Sequence, residues 1–386
     1  MTTQVSPLSG SERTPTQLEL KLMQLKTWLK LVTSRPRPEP SYPTLPAVDE
    51  RQQSSVPGVY LVGEVAGVPL IKLGLNAGVD IIDQLAPEIR AESDKNPRED
   101  VLDVLIVGAG ASGLGSAARA KELGLRAVTV DANHTAETVF TMTKGKLLLA
   151  EPESVPLKSS MWFEECTKEE LLEKWSAQIA QKELDIREFE KVEDIRRKGE
   201  IIEVVTQKGT YLARKVVLAV GKAGNPRKAG VEGEVEHAAR IAHRLLDPDD
   251  YQDQDILIYG GGDVALEAAL QLCGHNRVTL VTIDKAFIYP KKRNVDALLA
   301  KQAEGKVTVH MNSHLKAITA DEVVFSTEGK DGPTQAIKNN FVFEMIGAEL
   351  PTPFFKKVGI KLENTWNVKR YAYLAAVFIF VYSLYA

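Results

Sequence analysis

The sequence is poor in cysteine. Its 386 residues contain only Cys166 and Cys273, and no CxxC occurs. A disulfide framework, a cysteine-ligated zinc site and an iron–sulfur cluster held within this chain are thereby excluded. The six histidines show no ligand spacing to a cysteine or to one another, so no metal site is expected. Neither sign of charge dominates: Lys+Arg is 48, Asp+Glu is 52, and the net charge is −4. That balance carries no electrostatic footprint for nucleic acid. The opening residues MTTQVSPLSGSERTP are polar, and a secretory signal is not expected there. No Ser-His-Asp set and no carboxylate pair stands out.

The length suits two or three domains at roughly 100–200 residues each. Hydrophobic residues make up 44% and charged residues 26%, as in an ordinary globular protein. Gln17–Val32 reads as a short helix, and Arg35–Pro46, with five prolines, as a stiff extended linker. Tyr371–Ala386 is 16 residues without a charge. At ~1.5 Å per residue it spans roughly 24 Å, short of the ~30 Å hydrocarbon core. It is still read as a membrane segment, either a tail anchor or the first part of a longer span. Lys369 and Arg370 would then keep the globular part at the cytoplasmic face of the membrane. Between the ends, strand candidates such as Val104–Val107, Lys215–Val220, Ile256–Tyr259 and Phe341–Met345 alternate with helix candidates Gly113–Leu123, Lys168–Lys182 and Val264–Leu272. This argues for an α/β fold with parallel sheets.

Two glycine-rich turns carry the chemistry. The first, Gly108-Ala109-Gly110-Ala111-Ser112-Gly113, follows the apolar run LDVLIV and opens a helix; the next strand, AVTV, ends at Asp131. Gly108 permits the tight turn, Gly110 lets backbone approach a pyrophosphate, and Gly113 allows close helix–strand packing. The helix start, which includes Ser112, offers free N–H groups and a positive dipole to phosphates. Asp131 is placed to accept hydrogen bonds from an adenosine ribose. The second turn, Gly260-Gly261-Gly262-Asp263-Val264-Ala265, follows DILIY, with Ala265 replacing the third glycine. Two such turns predict two Rossmann-like, three-layer domains, one for FAD and one for NADH or NADPH.

At these residues the sequence resembles the thioredoxin-reductase-like, two-dinucleotide-domain flavoprotein reductases, over about Val56–Trp366. The resemblance also rests on VVLAVG (Val216–Gly221), which makes Gly221 a cofactor-site candidate, and on FVFEMIG (Phe341–Gly347), which looks like the return strand. It implies a later strand ending in Gly-Asp, then a helix over the flavin. After Glu363 the chain reads NTWNVKR and the apolar tail instead. Val56–Leu85 supplies the missing pattern: Gly63 and Glu64 stand in the Gly-Asp position and Leu70–Gln84 in that of the helix. The resemblance gives Glu64 the flavin ribityl hydroxyls and points the helix N-terminus at the flavin ring. A circularly permuted flavin domain follows, with Ala86–Asp100 as the joining loop; such rearrangement is topologically cheap. The resemblance also places Asp263 and Glu267 near the nicotinamide, though helix capping explains Asp263 equally well.

The expected organisation is an N-terminal helix and linker (1–50), a displaced piece of the FAD domain (51–98), the FAD domain (99–235), the NAD(P) domain (236–339), a return segment (340–370) and a membrane stub (371–386). Relatives carry a CxxC in the nicotinamide domain, and this chain has none, so flavin electrons are expected to leave without a dithiol. The acceptor would be a membrane redox protein, a ferredoxin or a small disulfide, and a homodimer is conceivable. Asp284, after the second strand of the nicotinamide domain, favours a free ribose diol, while Lys291, Lys292 and Arg293 nearby suit a 2′-phosphate. The leading expectation is an FAD-dependent NAD(P)H oxidoreductase. The alternatives are a nucleotide-binding regulatory module without turnover and a flavin monooxygenase.

Overall fold

The computed structural model describes residues 45–222, 224–363 and 368–385. The expected helix Gln17–Val32 and nearly all of the proline-rich stretch lie outside them. The strands of the first domain's large sheet are β1 (Val59–Leu61), β2 (Leu102–Val107), β3 (Ala127–Val130), β4 (Ile186–Arg187), β5 (Val192–Lys198), β6 (Ile201–Thr206) and β7 (Thr210–Leu218). The parallel order is β4-β3-β2-β7-β1. The apolar runs Val104–Val107 of β2 and Val216–Leu218 of β7 suit strands covered on both faces. The start of β7 also pairs antiparallel with β6, and β6 with β5. Val216–Leu218 of β7 lie between Leu105–Val107 on one side and Val59–Leu61 on the other. The segment before the first glycine turn therefore supplies an edge strand of the flavin-side sheet.

Helices α1 (Ile71–Lys95) and α2 (Ala111–Glu122) cover one face, burying Ile82, Leu85, Ile89 and Ala117 against Tyr60, Val104, Ile106 and Val217. Helix α3 (Lys168–Gln181) buries Leu171 and Trp175 beside them. Small residues let α1 and α2 cross in close contact. A Cβ at Gly78 would stand 2.2 Å from the Ser112 carbonyl oxygen, and one at Gly115 2.3 Å from that of Leu75. Ser116 Oγ donates to the Gly78 carbonyl at 3.2 Å. α1 is longer than expected and runs through Pro87 to Lys95, so most of the expected joining loop Ala86–Asp100 is helical. Lys215 on β7, almost buried, holds that extension through Glu88 at 2.9 Å and Glu92 at 2.6 Å.

The second domain holds β8 (Ile241–Ala242), β9 (Asp255–Tyr259), α4 (Asp263–Leu272), β10 (Arg277–Val281), α5 (Lys292–Ala303) and β11 (Val307–His310). A meander of β12 (His314–Ile318), β13 (Glu322–Ser326) and β14 (Thr334–Lys338) precedes β15 (Phe341–Glu344). Its parallel sheet has the order β8-β15-β9-β10-β11. β15, expected to lead back into the flavin domain, is thus part of the nicotinamide-side sheet, where Phe343 is fully buried against α4 and its neighbours. The return comes just after it. There the outgoing and incoming segments pair, Arg227 N–H to the Gly347 carbonyl and Glu349 N–H to that of Asn225. Helix α6 (Thr352–Lys357) and Ile360 then cover the other face of the first sheet, with Phe355 buried on Leu61, Leu105 and Leu218.

The expected membrane segment is overturned. Its residues form α7 (Val368–Tyr385), 18 residues that include Lys369 and Arg370. No helix among the described residues is long and apolar enough to cross a membrane. At 1.5 Å per residue, α7 is about 27 Å long, and its two cations and several tyrosine hydroxyls lower its hydropathy. The described residues thus give no support to the expected C-terminal anchor or to a membrane partner reached through it. The α1–α2 crossing gives a direct test. Gly78→Ala drives a methyl group into the Ser112 carbonyl and should cost about 3 kcal/mol in urea unfolding.

Candidate flavin and nicotinamide sites

The first glycine turn lies between the carboxyl ends of β2 and β7. Gly108 has φ +104° and faces the Ala219 carbonyl, and a Cβ at Gly113 would sit 1.8 Å from the Gly108 carbonyl oxygen. Only glycine fits either position. A Cβ on Gly110 would meet nothing within 4 Å, so the turn opens into free space at the N-terminus of α2. Two adjoining cavities of about 570 and 470 Å³ meet there, and Asp131, Asn133, Val220, Gly221 and Gly224 line both. Gly108, Glu190 and Val192 line the first, and Gly110, Ser112, Glu64, Leu70 and Gly74 the second. Together they make an elongated trough with phosphate-ready N–H groups at its middle, a form that fits an extended dinucleotide.

The trough gathers the flavin candidates. Gly108, Gly110, Ser112, Asp131, Glu64 and Gly221 line it, while Gly63 and Gly113 provide close packing behind it. A Cβ at Gly63 would stand 2.2 Å from Ser112 Oγ, which shows how tightly the β1 exit abuts α2. Asp131 is shaped by its neighbours: Oδ2 accepts the Ala109 N–H at 2.7 Å and Oδ1 the Asn133 N–H at 2.8 Å. Burial raises its carboxyl above the usual range, and those two N–H groups work against the rise. Helix α1 begins at the trough without a side-chain cap, after Leu70 at φ +74°. A left-handed leucine is strained, and such strain concentrates at functional sites. The first N–H groups of α1 are left to a ligand or to water.

The second turn repeats the pattern. A Cβ at Gly260 would stand 2.3 Å from the Met345 carbonyl oxygen, whereas one at Gly262 would meet nothing within 4 Å. Ala265 packs in the core under the turn. Asp284 lies over it: a Cβ on Gly261 would be 2.4 Å from Asp284 Oδ2, and Thr282 Oγ1 donates to that oxygen at 3.1 Å. Asp263 Oδ1 accepts from the Lys291 N–H at 2.8 Å and from Asn294 Nδ2 at 2.7 Å. Glu267 reaches the other domain, where Oε2 meets Lys146 Nζ at 2.5 Å. Lys291 and Arg293 line the flavin-side trough, and Lys292 pairs with Asp296 at 2.6 Å. The sequence reading missed Asn294 and Thr282, because a lone Asn or Thr outside a motif gives no signal.

Neither cysteine lines the trough. Both are buried. Burial, with Glu170 and Glu164 beside it, pushes the Cys166 thiol up, away from the reactive thiolate. Cys273 Sγ donates to the Leu270 carbonyl inside α4.

The profile of the pyridine nucleotide-disulphide oxidoreductases matches residues 105–372. The chain belongs to that family. Bacilliredoxin reductase of Bacillus subtilis is 24% identical over 272 residues, covering 67% of this chain and 81% of that one. A ferredoxin–NADP reductase of Thermus thermophilus is 29% identical over 229 residues, 58% of this chain and 66% of that one. Among solved structures, the bacillithiol disulfide reductase of Staphylococcus aureus superposes with TM-score 0.60 at 23% identity, covering 68% and 81% of the two chains. The thioredoxin reductase of T. acidophilum gives 0.57 at 21%, covering 69% and 83%. This family member is an FAD- and NAD(P)H-dependent oxidoreductase without a CxxC relay. Bound in the trough, the flavin supplies the hydride and electron chemistry. The residues present fit such a group: the open turns would offer N–H groups to its phosphates, Asp131 and Asp284 would stand within reach of a ribose, and the uncapped start of α1 would face it.

One buried group ties this site to pH. Glu344 ends β15 opposite Tyr259, the residue before the second turn, and its Oε1 has no hydrogen-bond partner. Burial and the neighbouring Glu234 push its carboxyl up to about 7, against the Ala229 N–H and Lys228. His243 Nδ1 stands 3.7 Å away. Between its unfolded value of 4.5 and about 7, only the folded chain keeps this proton, so stability falls as pH rises through that window. Relative to Glu344→Gln, the wild type should lose about 2 kcal/mol of unfolding free energy between pH 5.5 and 8.

Proposed function

We propose that the enzyme takes hydride preferentially from NADH and passes its electrons from flavin straight to a ferredoxin-type protein carrier. The observation that carries this reading is that no cysteine lines the flavin trough. A disulfide substrate is served by an enzyme thiolate, whereas a one-electron carrier needs only close approach to the flavin. Several curated relatives bear the name ferredoxin–NADP reductase. Asp284 supports the nicotinamide preference: its carboxylate lies over the second turn, where it accepts from a ribose diol and repels a 2′-phosphate. The cations that would counter it are engaged elsewhere, Lys292 with Asp296 and Lys291 and Arg293 along the flavin trough.

On the same reading, Val56–Lys95 takes the place of the family's closing strand and helix, carried at the front of the chain. Two observations support it. β1 pairs in parallel with β7, and the family profile begins only at residue 105. An anaerobic titration tests the nicotinamide preference: the yellow holoenzyme should bleach with NADH at lower concentration than with NADPH. Asp284→Ala should raise the NADPH to NADH ratio of kcat/KM at least about tenfold, the equivalent of about 1.4 kcal/mol. Under NADH, a two-iron ferredoxin should be reduced faster than a small disulfide. Reduction of the disulfide alone defeats the proposed acceptor.

A further inference from the structure

The two domains are stitched together beyond their paired connecting segments. A loop of the flavin domain reaches the nicotinamide domain at several places. Thr143 Oγ1 donates to the Leu245 carbonyl at 2.8 Å, and the Lys144 N–H to that of Leu246 at 2.8 Å. Lys144 Nζ meets Asp247 at 2.7 Å. Lys146 Nζ meets Glu267 Oε2 at 2.5 Å. The Lys144 pair is exposed, and such pairs contribute little. The Lys146 pair differs, since its side chains are only 34% and 25% exposed. Glu267 is also fixed from behind: Asn294 Nδ2 donates to its Oε1 at 3.2 Å and to Asp263 Oδ1 at 2.7 Å. Lys146 lines the flavin trough. One polar chain thus runs from the start of the nicotinamide-side helix α4 to the flavin cavity.

We propose that Lys146 and Glu267 are positioning residues, a latch that keeps the nicotinamide domain in one arrangement over the flavin domain throughout turnover. The inference rests on the oxidoreductase reading but goes beyond it. A nicotinamide domain that carried a dithiol would have to present two groups to the flavin in turn, the nicotinamide and then the disulfide. Here the domain has only the nicotinamide to present, because Cys273, at the end of α4, is buried and has no partner thiol. Nothing in the cycle then calls for the domains to exchange positions, and a partly buried ion pair across their boundary can persist. Its role is orientation: a misplacement of about 1 Å between reacting groups can cost about a hundredfold in rate.

The test uses FAD-loaded full-length protein, with stopped-flow flavin reduction at saturating NADH and small-angle scattering with and without NADH. Compared at equal FAD loading, Lys146→Glu and Glu267→Lys should each slow flavin reduction at least about tenfold. The charge-reversed double variant should recover to within about threefold of wild type, and Lys146→Arg should stay near wild type. Wild-type scattering should not change on NADH addition, while the single variants should expand. The latch is overturned by normal reduction rates in both single variants, by a double variant no faster than the singles, or by an NADH-driven domain rearrangement in the wild type. If neither NADH nor NADPH bleaches the wild type, the oxidoreductase reading fails, and scattering still decides the latch on its own.

Discussion

The parallel pairing of Val216–Leu218 with two strands at once is the constraint on which the rest depends. On one side it holds Leu105–Val107, which launch the first glycine turn. On the other it holds Val59–Leu61, from which the chain leaves through Gly63 and Glu64 toward α1. A strand register admits no gradual slip, because a one-residue shift sends every side chain to the wrong face. Fixing β1 beside β7 therefore fixes Glu64 and the start of α1 at the trough that Gly110 and Ser112 open. The α1–α2 crossing completes the lock, with glycine and serine where any larger residue would separate the helices.

The chemistry of the site follows from what that frame leaves within reach. Each domain offers a glycine turn with open space over one glycine, Gly110 or Gly262, a helix N-terminus and a carboxylate beyond the next strand. Those groups are suited to bind and orient dinucleotides, which would themselves supply the hydride chemistry. Neither cysteine lines the trough, and the chain has no CxxC. That absence, first visible as a cysteine count, is what the proposed exit route of the electrons rests on.

Much of this was legible in the sequence. The runs LDVLIV and DILIY, each followed at once by glycines, announced both sheets and both turns, because buried parallel strands and phosphate-binding turns demand those residues. Gly63 and Glu64 were recognisable as a pattern, and their neighbourhood with Ser112 needed the sheet register. What escaped depends on partners far along the chain. The continuation of α1 past Pro87 rests on Lys215, and the Lys146–Glu267 pair joins residues with no motif between them. The placement of β15 was misjudged because an apolar strand does not say which sheet it joins. The apolar tail misled for a related reason. Lys369 and Arg370 read in the sequence as the flank of a membrane segment, whereas they belong to the same helix as the apolar run.

The most direct test of the central claim, electron exit from flavin without a thiol, is turnover by the Cys166→Ala/Cys273→Ala variant, which has no cysteine. Both half-reactions would be followed separately, anaerobic flavin reduction by NADH and reoxidation by ferredoxin. The account predicts wild-type rates in both. Normal reduction followed by a stalled reoxidation would show that a thiol lies on the path, and would contradict it.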